Sequence, residues 1–179
     1  VSDARRYAYL LSIDGLTARE RGLSFATLDR TGNGAAIERV EAATSQRRGF
    51  VALIGKPGTG KTTLLICAVN AARERNVPAV YAVFSDLLDY LRAAYNPANT
   101  SELTFDARWD LLLRAEVLAI DELDQFNATP WAMERFLRLI DERWRLMDNR
   151  LADSRLTLLA TNLPASALPD KVHSRLCDG

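Results

Sequence analysis

Four short apolar segments alternate along the chain with longer segments that have the periodicity of amphipathic helices. The apolar segments span residues 50–54, 79–84, 117–120 and 156–160. Short, nearly continuous apolar runs are typical of strands that are buried on both faces, as in a parallel sheet. Because helical segments separate these runs, we predict an α/β fold with helices on both faces of a parallel β-sheet.

The helical segments are recognised by their apolar spacing and by residues suited to helix termini. We predict helices at 35–46, 63–75, 102–114 and 130–149, and a further helix capped by Ser85 or Asp86 after the second strand. The segment at 130–149 is the clearest, because Thr129 can cap it and Pro130 suits its first position. A short helix near residues 7–11 and a loop at 96–100 complete the pattern.

The most informative stretch is the glycine-rich loop between the first strand and its helix, Gly55-Lys56-Pro57-Gly58-Thr59-Gly60-Lys61-Thr62. It has the G-x-x-x-x-G-K-[ST] pattern in the strand–loop–helix context that a phosphate-binding loop requires. Its glycines let backbone N–H groups turn inward, and the start of the helix adds positive potential. The pattern therefore predicts an ATP/ADP site, with Lys61 at the outer phosphates and Thr62 as a ligand of Mg²⁺.

The predicted nucleotide-binding residues are Gly55, Lys56, Pro57, Gly58, Thr59, Gly60, Lys61, Thr62 and Thr63. The alternative interpretation is a glycine-rich turn that matches the pattern by chance.

Two consecutive carboxylates, Asp121 and Glu122, follow the third apolar run. In a parallel sheet, ligands bind at the carboxyl ends of the strands, so both acids are expected beside the glycine-rich loop. We predict that Asp121 holds Mg²⁺, usually through water, and that Glu122 polarises an attacking water. The second acid favours ATP hydrolysis over phosphate transfer to a hydroxyl acceptor. The alternative is a strand that simply ends in a solvated turn.

Composition and charge exclude several other classes of protein. The chain has 179 residues, which suits one domain, and its formal net charge of +0 gives no overall basic field for nucleic acid. No apolar run approaches the roughly 20 residues of a membrane span, and no signal-peptide pattern is present. Cys67 and Cys177 have neither disulfide nor metal-site spacing, so we expect reduced thiols and a cytoplasmic location. His173 has no nearby ligand partner and is expected to be non-catalytic.

Taken together, the motifs resemble those of the AAA+ ATPases, and within them the DnaC/DnaI-type helicase loaders and the related transposition protein IstB. The resemblance is carried by the glycine-rich loop, residues 118–122, Leu158-Leu159-Ala160-Thr161-Asn162 and Ser174-Arg175-Leu176. It implies a P-loop NTPase fold with an AAA+ ATPase core at residues 35–179, after an N-terminal extension or linker at 1–34. The family's helical lid should follow Leu176, and because the sequence ends at Gly179 we expect the lid to be absent.

The resemblance also implies roles for two residues outside the ATPase motifs. It makes Asn162 the sensor residue on the strand beside Asp121, where it helps to orient the attacking water. It makes Arg175 an arginine finger that points outward to the γ-phosphate of a neighbouring subunit, which implies a homo-oligomer. The alternatives are an ordinary strand-end asparagine and a solvated helix arginine.

The sequence is compatible with three functions. The first is a helicase loader that binds single-stranded DNA and a replicative helicase, and we favour it. The second is an IstB-like transposition helper ATPase that binds duplex DNA and recruits a transposase. The third is a nucleotide switch that does not hydrolyse quickly.

One candidate DNA-binding surface is an arginine stripe on the helix at 130–149, formed by Arg135, Arg138 and Arg145. The acid-first pairs Glu134/Arg138 and Asp141/Arg145 favour the alternative, an ordinary solvated helix face.

Overall fold

The structure is a computed structural model that describes residues 14–95, 103–124, 129–148 and 154–177. In this part of the chain four strands form one parallel sheet: β1 (Gly49–Ile54), β2 (Ala79–Val83), β3 (Val117–Asp121) and β4 (Leu156–Thr161). Their spatial order is β1-β4-β3-β2, so the last strand in sequence lies between the first and the third. The predicted fold class, a parallel β-sheet flanked by helices, is confirmed.

Helices cover both faces of this sheet. The described helices are α1 (Ala18–Arg21), α2 (Gly34–Gln46), α3 (Lys61–Glu74), α4 (Phe84–Arg92), α5 (Phe105–Arg114), α6 (Pro130–Asp148) and α7 (Asp170–Cys177). Because strand side chains alternate between faces, Val80 and Leu118 pack with α4 to α7, whereas Tyr81 and Ala119 pack with α2 and α3. Over the described residues, no helix combines the length and apolarity needed to cross a membrane.

The predicted start of the helix after β2 is wrong. α4 begins at Phe84, directly after the strand, and its N-cap Val83 makes no side-chain hydrogen bond, so neither Ser85 nor Asp86 caps it. Tertiary packing explains this start, because the buried Phe84 ring lies 5.3 Å from the ring of Phe136 on α6. Burial of this ring therefore outweighs the local capping preference.

Two other helices, α5 and α6, begin where a threonine caps them. The helix predicted at 102–114 begins at Phe105, because the Thr104 hydroxyl accepts a hydrogen bond from the Ala107 N–H (3.2 Å). α6 begins at Pro130 as predicted, and the Thr129 hydroxyl accepts from the Ala132 N–H (3.3 Å). The predicted helix near 7–11 and the loop at 96–100 lie outside the described residues.

The segment before α2 packs against α3. Leu16 and Phe25 belong to the same apolar cluster as the α3 side chains. The buried Asp14 carboxylate accepts hydrogen bonds from Arg73 on α3 (2.6 Å) and from Arg21 (3.4 Å). The boundary between an extension at 1–34 and a core at 35–179 stays a prediction.

A buried arginine on α6 closes the end of the sheet at which the strands begin. Arg143 is 0% exposed. Its guanidinium donates to the carbonyl oxygens of Leu112, Leu113, Ala115 and Leu156 and to the hydroxyl of Thr157. Burial and the nearby charge of Arg155 lower the pKa of Arg143 to about 9, so the group is still charged at neutral pH. Its bonds join α6 to the end of α5 and to the start of β4.

The strand order determines where the candidate functional residues meet. Because β4 lies between β1 and β3, the residues that follow these three strands are neighbours at the carboxyl edge of the sheet. The Gly55 N–H donates to the Thr161 carbonyl at the end of β4 (3.3 Å), and the Leu123 N–H donates to the Ala160 carbonyl (3.1 Å). The glycine-rich loop, the acids after β3 and Asn162 are therefore held side by side.

Candidate functional site

The glycine-rich loop leads directly into the N-terminus of α3, which begins at Lys61. Gly58 and Gly60 have φ angles of +79° and +85°, a conformation that residues with a side chain rarely adopt. The first backbone N–H groups of a helix have no partner within the helix, and the helix dipole adds positive potential there. The loop and the helix terminus therefore form a site suited to phosphate groups.

Lys61 places a positive charge between this loop and the end of β4. Its ammonium group donates to the carbonyl oxygens of Gly55 (2.7 Å) and Lys56 (2.9 Å) and to Oδ1 of Asn162 (2.8 Å). An ammonium group has three N–H donors, so these bonds use all of them. The charge is thus held in position before any phosphate binds.

The two predicted acids at the end of β3 have different surroundings. Asp121 is buried, and its carboxylate accepts hydrogen bonds from the Tyr81 hydroxyl (3.0 Å) and the Glu122 N–H (2.8 Å). Burial and the negative charge of Asp121 raise the pKa of Tyr81, so its hydroxyl keeps its proton and acts as a donor. Glu122 is exposed and has a φ of +56°, a left-handed conformation that is unusual for glutamate and typical of functional sites.

A third acid, Asp124, holds Asn162. Its carboxylate accepts hydrogen bonds from the Asn162 backbone N–H (3.1 Å) and from the side-chain Nδ2 (2.7 Å). Burial opposes ionisation, but these hydrogen bonds and the charge of Lys61 hold the pKa of Asp124 below its ordinary value. Asp124 is therefore an ionised acceptor at neutral pH.

These groups meet at one cleft of about 350 Å³. It is lined by Pro57, Gly58, Gly60, Lys61, Thr62, Thr63, Asp121, Glu122, Asp124, Thr161 and Asn162. The structure therefore brings together most of the predicted loop residues, both predicted acids and the predicted sensor. Gly55, Lys56 and Thr59 are not among the lining residues, although the carbonyls of Gly55 and Lys56 anchor Lys61.

A smaller hollow of about 200 Å³ adjoins the cleft and shares Gly60 and Thr63 with it. Its remaining lining residues are Leu28, Asp29, Asn33, Ile37, Thr59 and Leu64. The Asn33 amide donates to the Thr59 carbonyl (3.3 Å), which joins the segment before α2 to the glycine-rich loop. The hollow is thus continuous with the phosphate-binding loop.

The donor atoms in the cleft suit a magnesium ion. Mg²⁺ prefers oxygen ligands and retains several of its waters. Thr62 offers a hydroxyl and Asp121 a carboxylate. Within the described residues, each carboxylate oxygen of Asp121 accepts one hydrogen bond, so lone pairs remain. Both predicted metal-binding residues therefore fit the ion. Within the described ranges, no group of three or more His, Cys, Asp or Glu side chains is arranged to hold a metal.

Arg175 lies outside the cleft. It belongs to α7, where its guanidinium donates to the Asp141 carboxylate (3.1 Å) and lies 4.9 Å from the centroid of the Trp144 ring. Its side chain is 30% exposed. The arginine is therefore held against α6 of its own chain rather than pointing freely outward, and its role between subunits stays a prediction.

The predicted arginine stripe on α6 is neutralised by acidic neighbours. The pairs are Arg135–Glu134 (2.6 Å), Arg138–Glu142 (2.6 Å) and Arg145–Asp141 (2.8 Å). The Asp141/Arg145 pair was expected from the sequence, whereas Arg138 pairs with Glu142 rather than Glu134. These surface pairs favour the interpretation of the stripe as a solvated helix face.

Two residues of the site were not predicted from the sequence. Tyr81 lies in β2, and its hydroxyl reaches Asp121 on the neighbouring strand. A tyrosine within a buried apolar strand was an available signal, because a buried hydroxyl needs a hydrogen-bond partner. Asp124 gave no comparable signal, since an acid in a turn after a strand is ordinary.

Comparison with known proteins agrees with this geometry. The sequence profile of the AAA domain family matches residues 43–162. The chain belongs to the AAA domain family. The matched region contains the glycine-rich loop, both acids after β3 and Asn162. The whole cleft therefore lies within the AAA domain.

Two proteins of Bacillus subtilis (strain 168) are similar to this AAA domain in sequence. The phage-like element PBSX protein XkdC is 25% identical over 191 residues, which cover 97% of this chain and 69% of XkdC. The uncharacterized protein YqaM is 27% identical over 139 residues, which cover 74% of this chain and 42% of YqaM. The chain thus spans less than half the length of YqaM.

Several solved structures share the fold of this AAA domain. DnaI has a TM-score of 0.68 at 19% identity, with 92% of this chain and 91% of that chain covered. The replication initiator DnaA bound to AMPPCP and single-stranded DNA has a TM-score of 0.74 at 20% identity, with 93% and 50% covered. At these identities the similarity concerns the fold alone, which is that of P-loop AAA+ domains such as those of DnaA and DnaI.

Proposed function

We propose that this AAA domain binds ATP with Mg²⁺ and hydrolyses it in the cleft at the carboxyl edge of the sheet. One observation carries the proposal. Lys61, Thr62, Asp121, Glu122 and Asn162 line the same cleft, although Lys61 and Asn162 are 101 positions apart in the sequence. A glycine-rich turn that matched the pattern by chance gives no reason for the other residues to gather beside it.

Each of these residues has a role that suits its chemistry. Lys61 and the N-terminus of α3 hold phosphate oxygens, and Thr62 and Asp121 hold Mg²⁺. When bound, the ion neutralises charge that develops on the phosphates. Glu122 accepts a proton from the attacking water, and Asn162 orients that water.

The adjoining hollow suits the nucleoside. Because the cleft and the hollow share Gly60 and Thr63, a nucleotide with its phosphates in the cleft can place its sugar and base in the hollow. Leu28 and Ile37 offer apolar surface to a base there. The AMPPCP bound to DnaA, a protein of the same fold, supports this proposal.

The test is a comparison of Lys61 with a lysine outside the loop. Lys61→Ala removes the ammonium that faces the cleft and should weaken binding of a fluorescent ATP analogue by roughly 100-fold, within the range of one charge-assisted hydrogen bond. Lys171→Ala is the matched control, because its side chain is exposed on α7 and does not line the cleft. Equal binding by Lys61→Ala and wild-type protein contradicts the proposal.

We also propose that hydrolysis requires a neighbouring subunit that supplies Arg175. Among the side chains that line the described cleft, only Lys61 is cationic. A second cation opposite Lys61 increases the rate in related phosphoryl-transfer reactions by about 10³–10⁵. To reach a neighbour, Arg175 has to leave Asp141, and the partial exposure of its side chain allows this.

This oligomer is tested by mixing variants. Arg175→Ala should bind ATP normally and fail to hydrolyse it, and mixing it with Lys61→Ala should restore activity at the mixed interfaces. Arg145→Ala is the control, because Arg145 pairs with the same Asp141 but lies on α6. Turnover per subunit that is independent of protein concentration, down to demonstrated monomer, contradicts a shared site.

The biological role that we favour is loading of a replicative helicase on single-stranded DNA. The structural similarity to DnaI and to DnaA bound to single-stranded DNA supports this role over the transposition helper. Co-purification with a replicative helicase, dependent on ATP, is the expected result, and capture of a transposase instead contradicts it. If the assembled protein hydrolyses ATP slowly both with and without DNA, the third alternative, a nucleotide switch, is indicated.

A further inference from the structure

Asp124 and Asn162 form a chain of hydrogen bonds that ends on Lys61. Oδ1 of Asp124 accepts from the Asn162 backbone N–H (3.1 Å), and Oδ2 accepts from Asn162 Nδ2 (2.7 Å). Oδ1 of Asn162 in turn accepts from Nζ of Lys61 (2.8 Å). One amide thereby joins the turn after β3, the end of β4 and the start of α3.

The chemistry of its two partners fixes the orientation of the Asn162 amide. An ionised carboxylate only accepts hydrogen bonds, and an ammonium group only donates them. The amide NH₂ therefore faces Asp124 and the amide oxygen faces Lys61, since the reverse orientation breaks both bonds. The turn itself does not depend on this contact, because the Leu123 N–H already anchors it to the Ala160 carbonyl (3.1 Å).

We propose that Asp124 is a positioning residue that holds the Asn162 amide oxygen toward the phosphate site. We further propose that nucleotide binding transfers Lys61 from this oxygen to a phosphate oxygen. The inference rests on the proposed ATP site and adds to it how the sensor residue responds to an occupied site.

The bonds of Lys61 indicate which partner it gives up. All three of its donors are used, so a phosphate oxygen gains a bond only when one partner is released. The carbonyls of Gly55 and Lys56 belong to the same loop as Lys61, whereas Asn162 is 101 positions away. Release of Asn162 leaves the bonds within the loop unchanged. The freed amide oxygen, still held by Asp124, then accepts a hydrogen bond from the attacking water.

An exchange of acid and amide tests the role of Asp124. In Asp124→Asn, an amide faces two donors of Asn162, so one of the three bonds in the chain is lost. In the double variant Asp124→Asn/Asn162→Asp, the new amide donates to the new carboxylate, and the second carboxylate oxygen accepts from Lys61. All three bonds are restored in the double variant although both single positions have changed.

NMR of the Lys61 ammonium group measures directly how well its N–H groups are held in hydrogen bonds. Only Lys56, Lys61 and Lys171 are lysines, so Lys61→Arg identifies the signal. Without nucleotide, hydrogen exchange of the Lys61 ammonium should be about tenfold faster in Asp124→Asn than in wild-type protein, the effect of one lost hydrogen bond. The double variant should return to the wild-type rate. Asp86→Asn, an exposed aspartate on α4, is the charge-matched control.

The transfer of Lys61 is tested by the affinity for ADP without Mg²⁺. Asn162→Ala removes the bond that nucleotide has to break, so it should bind ADP about two- to tenfold more tightly. Hydrolysis of ATP should fall in the same variant and in Asp124→Asn, whose ADP affinity should not weaken. Tighter ADP binding with slower turnover is not expected from general loosening of the fold.

The outcomes separate this inference from the proposed function. Wild-type exchange of Lys61 in Asp124→Asn, or no recovery in the double variant, overturns the role of Asp124. Unchanged or weaker ADP binding by Asn162→Ala overturns the transfer of Lys61. Absence of nucleotide binding by wild-type protein overturns the proposed function instead, and the exchange of Lys61 in the empty site is measured independently of it.

Discussion

Each end of the sheet holds a cation that several hydrogen bonds fix in place, but only one of these cations has room for a ligand. At the carboxyl edge, Lys61 makes three hydrogen bonds beside a cleft of about 350 Å³. At the opposite end, Arg143 is 0% exposed and bonds only to protein groups. A ligand can replace a partner of Lys61 and cannot reach Arg143. We infer that Lys61 serves ligand binding and that Arg143 serves the stability of the fold.

A left-handed backbone is found at both ends of the sheet. Glu122 at the carboxyl edge has a φ of +56°, a conformation that costs free energy in a residue with a side chain, and Arg47, two residues before β1, has a φ of +53°. At the amino end, the carbonyls of Leu112, Ala115 and Leu156 receive hydrogen bonds from Arg143 where helix or strand hydrogen bonding ends. The two ends therefore differ in their side chains and in access for a ligand rather than in backbone conformation.

The largest expected effect is on hydrolysis, from the exposed acid at the carboxyl edge. Glu122→Gln keeps the shape of the side chain and removes the base, so turnover of ATP should fall by about 10²–10⁴ while nucleotide binding and thermal unfolding stay unchanged. Phosphate release and binding of an ATP analogue measure the two properties separately.

Its control lies at the other end of the same strand. Glu116 immediately precedes β3, at the end of the sheet opposite the loop, and pairs with Arg47 (2.8 Å). Glu116→Gln should therefore leave turnover unchanged. If both variants hydrolyse ATP at the same rate, the two ends of the sheet do not differ in the way proposed.

The next effect is on stability, from the buried cation. Arg143→Met removes all five hydrogen bonds and leaves their acceptors buried, so the free energy of unfolding should fall by about 3–5 kcal/mol. Urea denaturation measures this change. Arg145→Met is the control on the same helix, because its side chain is 74% exposed, and it should change stability by less than about 1 kcal/mol. If the two variants are equally stable, Arg143 does not stabilise the fold in the way proposed.

The contrast between the two ends also explains what could be predicted from the sequence. The loop, Asp121 and Glu122 are adjacent in sequence to strand and helix signals, so their place at the carboxyl edge follows from a parallel sheet. Asn162 was assigned through resemblance, and the structure places it in the cleft. The start of α4 was missed because the burial of Phe84 against α6 is a tertiary effect.

The hydrogen-bond partners of Arg143 were not predictable from the sequence alone. They come from α5, the residues before β3 and the start of β4, and none of them is near it in sequence. The helical spacing does place Arg143 on the apolar face of α6, three residues after Ile140 and four before Met147, so its burial had a local signal that was not used. Asp124 was missed because its partner is 38 positions away, after another strand. Side chains with only distant partners give no local pattern.

The smallest expected effect concerns the strained backbone of Glu122. At ordinary helix positions Gly is less stable than Ala by roughly 0.5–1 kcal/mol, because Gly loses more conformational freedom on folding. At a φ of +56° the order should reverse, since a Cβ is unfavourable there and Gly is not. Glu122→Gly should therefore be more stable than Glu122→Ala by about 1 kcal/mol, with hydrolysis lost in both.

Both variants lack the carboxylate, so its loss does not contribute to the difference in stability between them. Ala42→Gly, at an exposed position of α2, is the control and should destabilise the protein. If Glu122→Gly is no more stable than Glu122→Ala by urea denaturation, the carboxyl edge stores no strain at this residue.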